Sequence, residues 1–165
     1  MLSFNTSHGQ FNYRVAAIIL RDGPGVSTEV LLQVIGSQPY WCLPGGRVAF
    51  GESAEEAMRR EIVEELGLEP HIVRPLWVVE NLYQQNGARY HEASLYYLAS
   101  LPEASPEAAA TDSWTTVELD GTPLLNQWHP VDTLESLNLV PSFLRTRLRS
   151  LPDTLDYILH RDSDP

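Results

Sequence analysis

From Ser53 the chain sets Ala54, Ala57, Met58 and Ile62 on one arc of a wheel turning about 100° per residue, the pattern of a helix with one buried face. That predicted helix carries its own ends. Ser53 and Glu56, three residues on, form a capping box in which each side chain satisfies an orphan amide at the helix start. Gly67 supplies the left-handed stop, and Pro70 prevents continuation. Strands are predicted near 12–20, 29–35 and 40–44 before the helix, and near 71–83 and 88–99 after it. Asn86-Gly87, between the last two, is a strong signal for a two-residue hairpin, and its register pairs Tyr83 with Tyr90 and Asn81 with Glu92. Further on, Pro102 to Ser113 reads as a flexible polar connection and 124–128 as a strand. Short helices are expected near 131–137 and 141–149, with an extended end near 155–160. No internal repeat, second core or periodic exposed apolar stripe is evident, so one domain over 1–165 is expected, a monomer or homodimer.

Two carboxylates break the helix pattern. Glu61 and Glu65, one turn apart, fall inside the apolar arc, and Glu64 lies at its edge. Desolvating an unpaired charge costs several kcal/mol or neutralises the group, so a bound cation is expected there. Before the helix, Leu43-Pro44-Gly45-Gly46 ends an extended run and opens a loop with Ala49 and Gly51, where backbone could approach a ligand closely.

Composition narrows the partners. At 165 residues and 43% hydrophobic content, the chain suffices for one core. The apolar run Val15–Leu20 is too short to cross a bilayer, and Met1–Tyr13 lacks the form of a signal peptide, so a soluble cytoplasmic protein is expected. Cys42 is the only cysteine, which excludes an internal disulfide; it reads as a small apolar strand residue rather than a nucleophile. The net charge of −11 argues against nucleic acid as a partner. All eleven basic residues are arginine, which excludes lysine Schiff-base chemistry.

Gly46, five residues, Glu52, seven residues, Arg60-Glu61, Ile62, one residue, Glu64-Glu65, one residue, Gly67 and Leu68 fill every defined position of the Nudix box. Over Gly46–Leu68 the chain resembles the Nudix hydrolases, the MutT-like family. The resemblance implies the α/β Nudix fold, an α/β/α sandwich with a mixed β-sheet. It also implies metal-dependent hydrolysis of a nucleoside diphosphate linked to another moiety, a small-molecule nucleotide substrate. Magnesium is the leading cation and manganese the alternative, both suited to oxygen ligands. Matching positions give Glu64 and Glu65 as metal ligands. Glu61 is the residue that orients or deprotonates the attacking water, or a further ligand, and the carbonyl of Gly45 is another. Arg60 orients a carboxylate of the box, Glu52 braces the loop or coordinates outer-shell water, and Glu56 is structural.

Outside the box, Glu92 shares a predicted strand face with Asn81, Tyr83 and Tyr90, and is the candidate for an additional acid. His91 points the other way. Arg47 and Arg89 are candidates to reach a terminal phosphate, and Tyr83 and Trp128 to meet a base. Signatures of the NADH and coenzyme A subfamilies are not seen, and Tyr83 stands where the ADP-ribose type has proline, which leaves general nucleoside diphosphate-X hydrolysis. Two other readings stay open: a Nudix-fold ligand sensor without catalysis, and a hydrolase of RNA 5′ ends.

Overall fold

The structure is a computed structural model that describes residues 1–23, 27–102 and 113–162; nearly all of the expected polar connection lies outside them. β1 (Ser3–Thr6), β2 (Gly9–Asp22) and β3 (Thr28–Ile35) precede α1 (Ala54–Leu66). β4 (His71–Gln85), β5 (Ala88–Ser100), β6 (Ser113–Val117) and β7 (Pro123–Pro130) follow. The chain continues through a 3-10 helix (Val131–Ser136), α2 (Leu144–Arg147) and β8 (Asp156–Arg161). The sheet runs β6-β7-β3-β2-β5-β4-β8, with β1 paired to β2. β2 with β5 and β4 with β8 are parallel and the other pairs antiparallel, so the sheet is mixed.

Alternation along β2 builds a core on each face. Val15, Ala17 and Ile19 pack with Ala57, Met58 and Ile62 of α1. Ile18 turns the other way and joins Leu134 of the 3-10 helix and Leu144 of α2. Helices therefore cover both sides of the sheet, the three layers expected.

The hairpin has the predicted register: Tyr83 pairs with Tyr90 and Asn81 with Glu92. Both turn residues have positive φ, 52° at Asn86 and 77° at Gly87, which matches the twist of the flanking strands. α1 begins with the capping box at Ser53 and Glu56 and ends at left-handed Gly67.

Other elements differ from expectation. Over 40–44 only Trp41 and Cys42 form isolated bridges, because Pro44 has no N–H to extend a ladder. The chain from Pro44 to Val48 instead runs beside β2: Val15 N–H donates to the Gly46 carbonyl (2.9 Å) and Ala17 N–H to that of Pro44 (2.8 Å). The two late helices shrink to a 3-10 turn and four α-helical residues, segments too short for helical cooperativity to sustain alone. β1 and β6 are additional strands; short and mostly polar, they take their conformation from β2 and β7. An exposed apolar stripe does exist, contrary to expectation: Leu155 (53%), just before edge strand β8, alternates with Tyr157 (58%) and Leu159 (50%) within it. Cys42 gives its thiol to the Gln33 carbonyl, and burial pushes that thiol up to about 12, in keeping with a structural role. Among the described residues no helix is long and apolar enough to cross a membrane.

Candidate active site

α1 lies across β2 with its apolar arc inward, and this carries Glu61 (9% exposed) and Glu65 (4%) into the protein. The wheel anticipated both positions. Glu65 Oε2 accepts the N–H of Gly45 at 2.9 Å. Burial pushes the Glu65 carboxyl up to about 8, and the Gly45 hydrogen bond opposes this only in part. Burial also raises Glu61, against the pull of Arg60. Two buried acids on one helical turn call for a compensating positive charge, part of which Arg60 supplies to Glu61.

Arg60 organises the segment. Its Nε and Nη2 meet Glu52 Oε1 and Oε2 at 2.7 and 3.0 Å, a bidentate pair, while Nη1 reaches Glu61 (2.8 Å) and Glu64 (3.2 Å). Nη2 also donates to the Arg47 carbonyl at 3.0 Å. The Arg60 hydrogen bond holds Glu52 below the usual carboxylate range, and Glu52 in turn accepts the Ala49 N–H at 2.8 Å. One guanidinium thus ties the loop to the helix, a task for which its planar fork is suited.

Gly46 sits against Glu61. A β-carbon there would overlap the Glu61 carboxylate, so glycine at this position lets loop and helix close. At Gly45 (φ 142°) a β-carbon would overlap the β2 backbone at Val15.

A cavity of about 150 Å³ opens over this turn, lined by Glu61, Glu64 and Glu65 on one side and by Glu118, Leu119 and Asp120 on the other. Glu118 and Asp120 belong to the turn between β6 and β7 and were not anticipated. The only sequence signal was Asp120-Gly121, a hairpin dipeptide, and it says nothing of what the turn faces. Burial raises the Glu118 carboxyl, with Asp120, Glu61 and Glu64 adding repulsion. The donor set is all hard oxygen, which fits magnesium or manganese. Among the described residues no three acidic, histidine or cysteine side chains converge on one ligand point. Arg60 engages Glu64 and Gly45 engages Glu65, so a cation would turn these two carboxylates from their present partners.

Glu92 is buried on β5, with Ser94 Oγ donating to Oε1 (3.3 Å) and Arg14 Nη1 3.8 Å from Oε2. Its Oε2 makes no hydrogen bond among the described residues. Tyr83 stacks on Tyr90 (centroids 4.8 Å, 6° between planes) on the same face of the hairpin. Burial first, and then the Glu92 charge, raise the Tyr83 phenol. His91 points to the other face and pairs with Glu80 at 2.8 Å. Arg47 is exposed in the box loop. Arg89 and Tyr83 both line a separate cavity, Arg89 from the hairpin face opposite Glu92, and Trp128 is buried with the Arg21 guanidinium 4.5 Å above its ring.

The NUDIX domain model matches residues 11–149. A Caenorhabditis elegans protein named as a nudix hydrolase is 30% identical over 160 residues, covering 95% of this chain and 39% of the relative. An RNA pyrophosphohydrolase of Salmonella arizonae is 32% identical over 105 residues, 57% of this chain and 59% of that one. The chain thus spans less than two thirds of either curated relative. Among solved structures, a MutT NUDIX hydrolase from Burkholderia pseudomallei superimposes with a TM-score of 0.52 at 30% identity, covering 74% of this chain and 85% of that one.

Proposed function

The chain belongs to the NUDIX family, and from that premise we propose that it is a divalent-metal-dependent pyrophosphohydrolase acting on a nucleoside diphosphate joined to another group. The observation that carries this reading is the pair of buried carboxylates, Glu61 and Glu65, facing Glu118 across a small acidic cavity.

In this reading Glu64 and Glu65 hold magnesium or manganese, with Glu61 and the Gly45 carbonyl as further ligands. The bound ion would neutralise phosphate charge and lower the pKa of a water. Glu61 orients the attacking water and takes its proton. Arg60 keeps Glu61 aimed, through its bond to that carboxylate and its anchor on Glu52. Glu92, buried with one oxygen short of a hydrogen-bond donor, is the additional acid on the substrate side. Arg47 meets a phosphate and Tyr83 the base or sugar. Arg89 and Trp128 are left out of this set, Arg89 because it lies on the hairpin face opposite Glu92 and Trp128 because it is buried under Arg21. A cytoplasmic setting and small nucleotide substrates suit the acidic chain.

The test is a screen of nucleoside diphosphate derivatives with magnesium, with manganese and with chelator, products identified by mass. A nucleoside monophosphate released only with metal is the expected result. Ligand binding without product under any metal would make the protein a sensor instead. The Salmonella relative favours one second reading, hydrolysis at RNA 5′ ends. RNA and free nucleotides compared at identical salt decide between them, and the charge of −11 favours the nucleotides.

A further inference from the structure

A second cavity, about 690 Å³, shares no lining residue with the acidic one and is within the size range of small-molecule sites. Strand register puts most of its parts on one face of the sheet; Tyr83 and Tyr90 also line it, from the hairpin's other face. Phe11, His91, Leu82 and Arg161 are successive partners across β2, β5, β4 and β8, and Arg89 precedes His91 by two residues on the same face. Asn81 and Glu92 project from the opposite face. Phe4 of β1 stacks on Phe11 (centroids 5.1 Å, 27° between planes) and is 58% exposed, so an aromatic pair stands open to the cavity.

Charge is the second observation. Acids outnumber bases two to one in this chain (22 against 11), yet Arg89 and Arg161 both line this cavity with no ion pair among the described residues. The nearby carboxylates have closer partners, though the Arg161 charge still reaches Glu80 and Asp162 lines the cavity. Glu80 accepts from the Tyr157 hydroxyl (2.7 Å) and pairs with His91 (2.8 Å), while Asp162 is bound by Ser142 and His160. Guanidiniums that no carboxylate bridges hold phosphate oxygens well, and a stacked aromatic pair offers a platform to a planar base.

We propose that this cavity is a second, metal-independent site for a nucleoside monophosphate, its base against Phe4 and Phe11 and its phosphate between Arg89 and Arg161. The site goes beyond the hydrolytic reading and does not depend on it, although Tyr83 lines this cavity and is also the base or sugar contact of that reading. AMP is released by hydrolysis of any adenosine diphosphate derivative, which makes it the probe of choice.

The experiment titrates the full chain with AMP in chelator, by calorimetry and by amide NMR. AMP is expected to saturate, with shifts at Phe4, Phe11, His91 and Arg161. Adenosine and inorganic phosphate, each alone, are expected to bind more weakly than AMP. Arg161→Gln and Phe4→Ser each weaken AMP by about tenfold, the loss of roughly one good contact. Absence of saturation overturns the proposal, as do shifts confined to Gly45, Gly46 and Glu92. So does inorganic phosphate matching AMP, or an Arg161→Gln affinity equal to wild type. The NMR map on unaltered protein decides even if a variant fails to fold.

Discussion

Gly46 and Glu61 are in such close apposition that the space a β-carbon would take at residue 46 is filled by the Glu61 carboxyl group. The obstructing atoms are the far end of a flexible side chain, so Gly46→Ala is expected to fold and to displace Glu61. Turnover should fall on the order of 100-fold, the usual cost of misplacing a reacting group by about 1 Å. Kinetics beside a melting curve checks this; unchanged turnover would remove Glu61 from the reaction.

Glu65→Gln keeps shape, and its amide oxygen still accepts from Gly45. Without cation the variant should be at least as stable as wild type, since a carboxyl pushed up to about 8 by burial gains nothing from its charge. Magnesium affinity and turnover should fall by orders of magnitude. Calorimetric titration of both proteins with magnesium is the measurement, and equal affinities would exclude Glu65 as a ligand.

Arg60→Lys retains the charge and loses the fork that joins Glu52, Glu61 and Glu64. A stability loss of about 2 kcal/mol is expected in urea unfolding, the scale of one or two hydrogen bonds to charged groups. The kcat should drop more than KM rises, because Glu61 loses its aim. A change in KM alone would make Arg60 a substrate contact.

Glu92→Gln tests the acid on the second face. If Glu92 takes part in the reaction, kcat falls with little change in KM. A change confined to KM would make it a recognition residue, working with Arg14 beside it.

Cys42 should resist iodoacetamide at pH 8 in the native protein and react once unfolded in urea. Burial places the folded thiol near 12, against 9 for an exposed one. The unfolded chain therefore loses this proton first, and the contribution of Cys42 to stability, intact below pH 9, declines as pH rises towards 12. The slope of stability against pH, compared with Cys42→Ala, isolates it.

Local patterns carried far where the physics was local. The ends of α1, the inward turn of Glu61 and Glu65, and the Tyr83–Tyr90 and Asn81–Glu92 pairs follow from helix periodicity, a capping box and a two-residue turn, each set by residues a few positions apart. β1 and β6 were not legible because four or five mostly polar residues have no pattern of their own. Over 40–44 the apolar run suggested a strand, and Pro44 with the two glycines turned it into a loop along β2.

The sequence by itself determined which helix bears the buried acids, where it starts and stops, and the family through the box that Gly46 to Leu68 fills. Tertiary structure alone decided that Glu118 and Asp120 close the other side of the acidic cavity, and that Arg89 joins Arg161 and Phe11 in a different one. The reason is distance along the chain. Capping, helical spacing and hairpin register act between neighbours, whereas the meeting of α1 with the β6–β7 turn, and of β1 with β5 and β8, depends on how the whole sheet orders its strands.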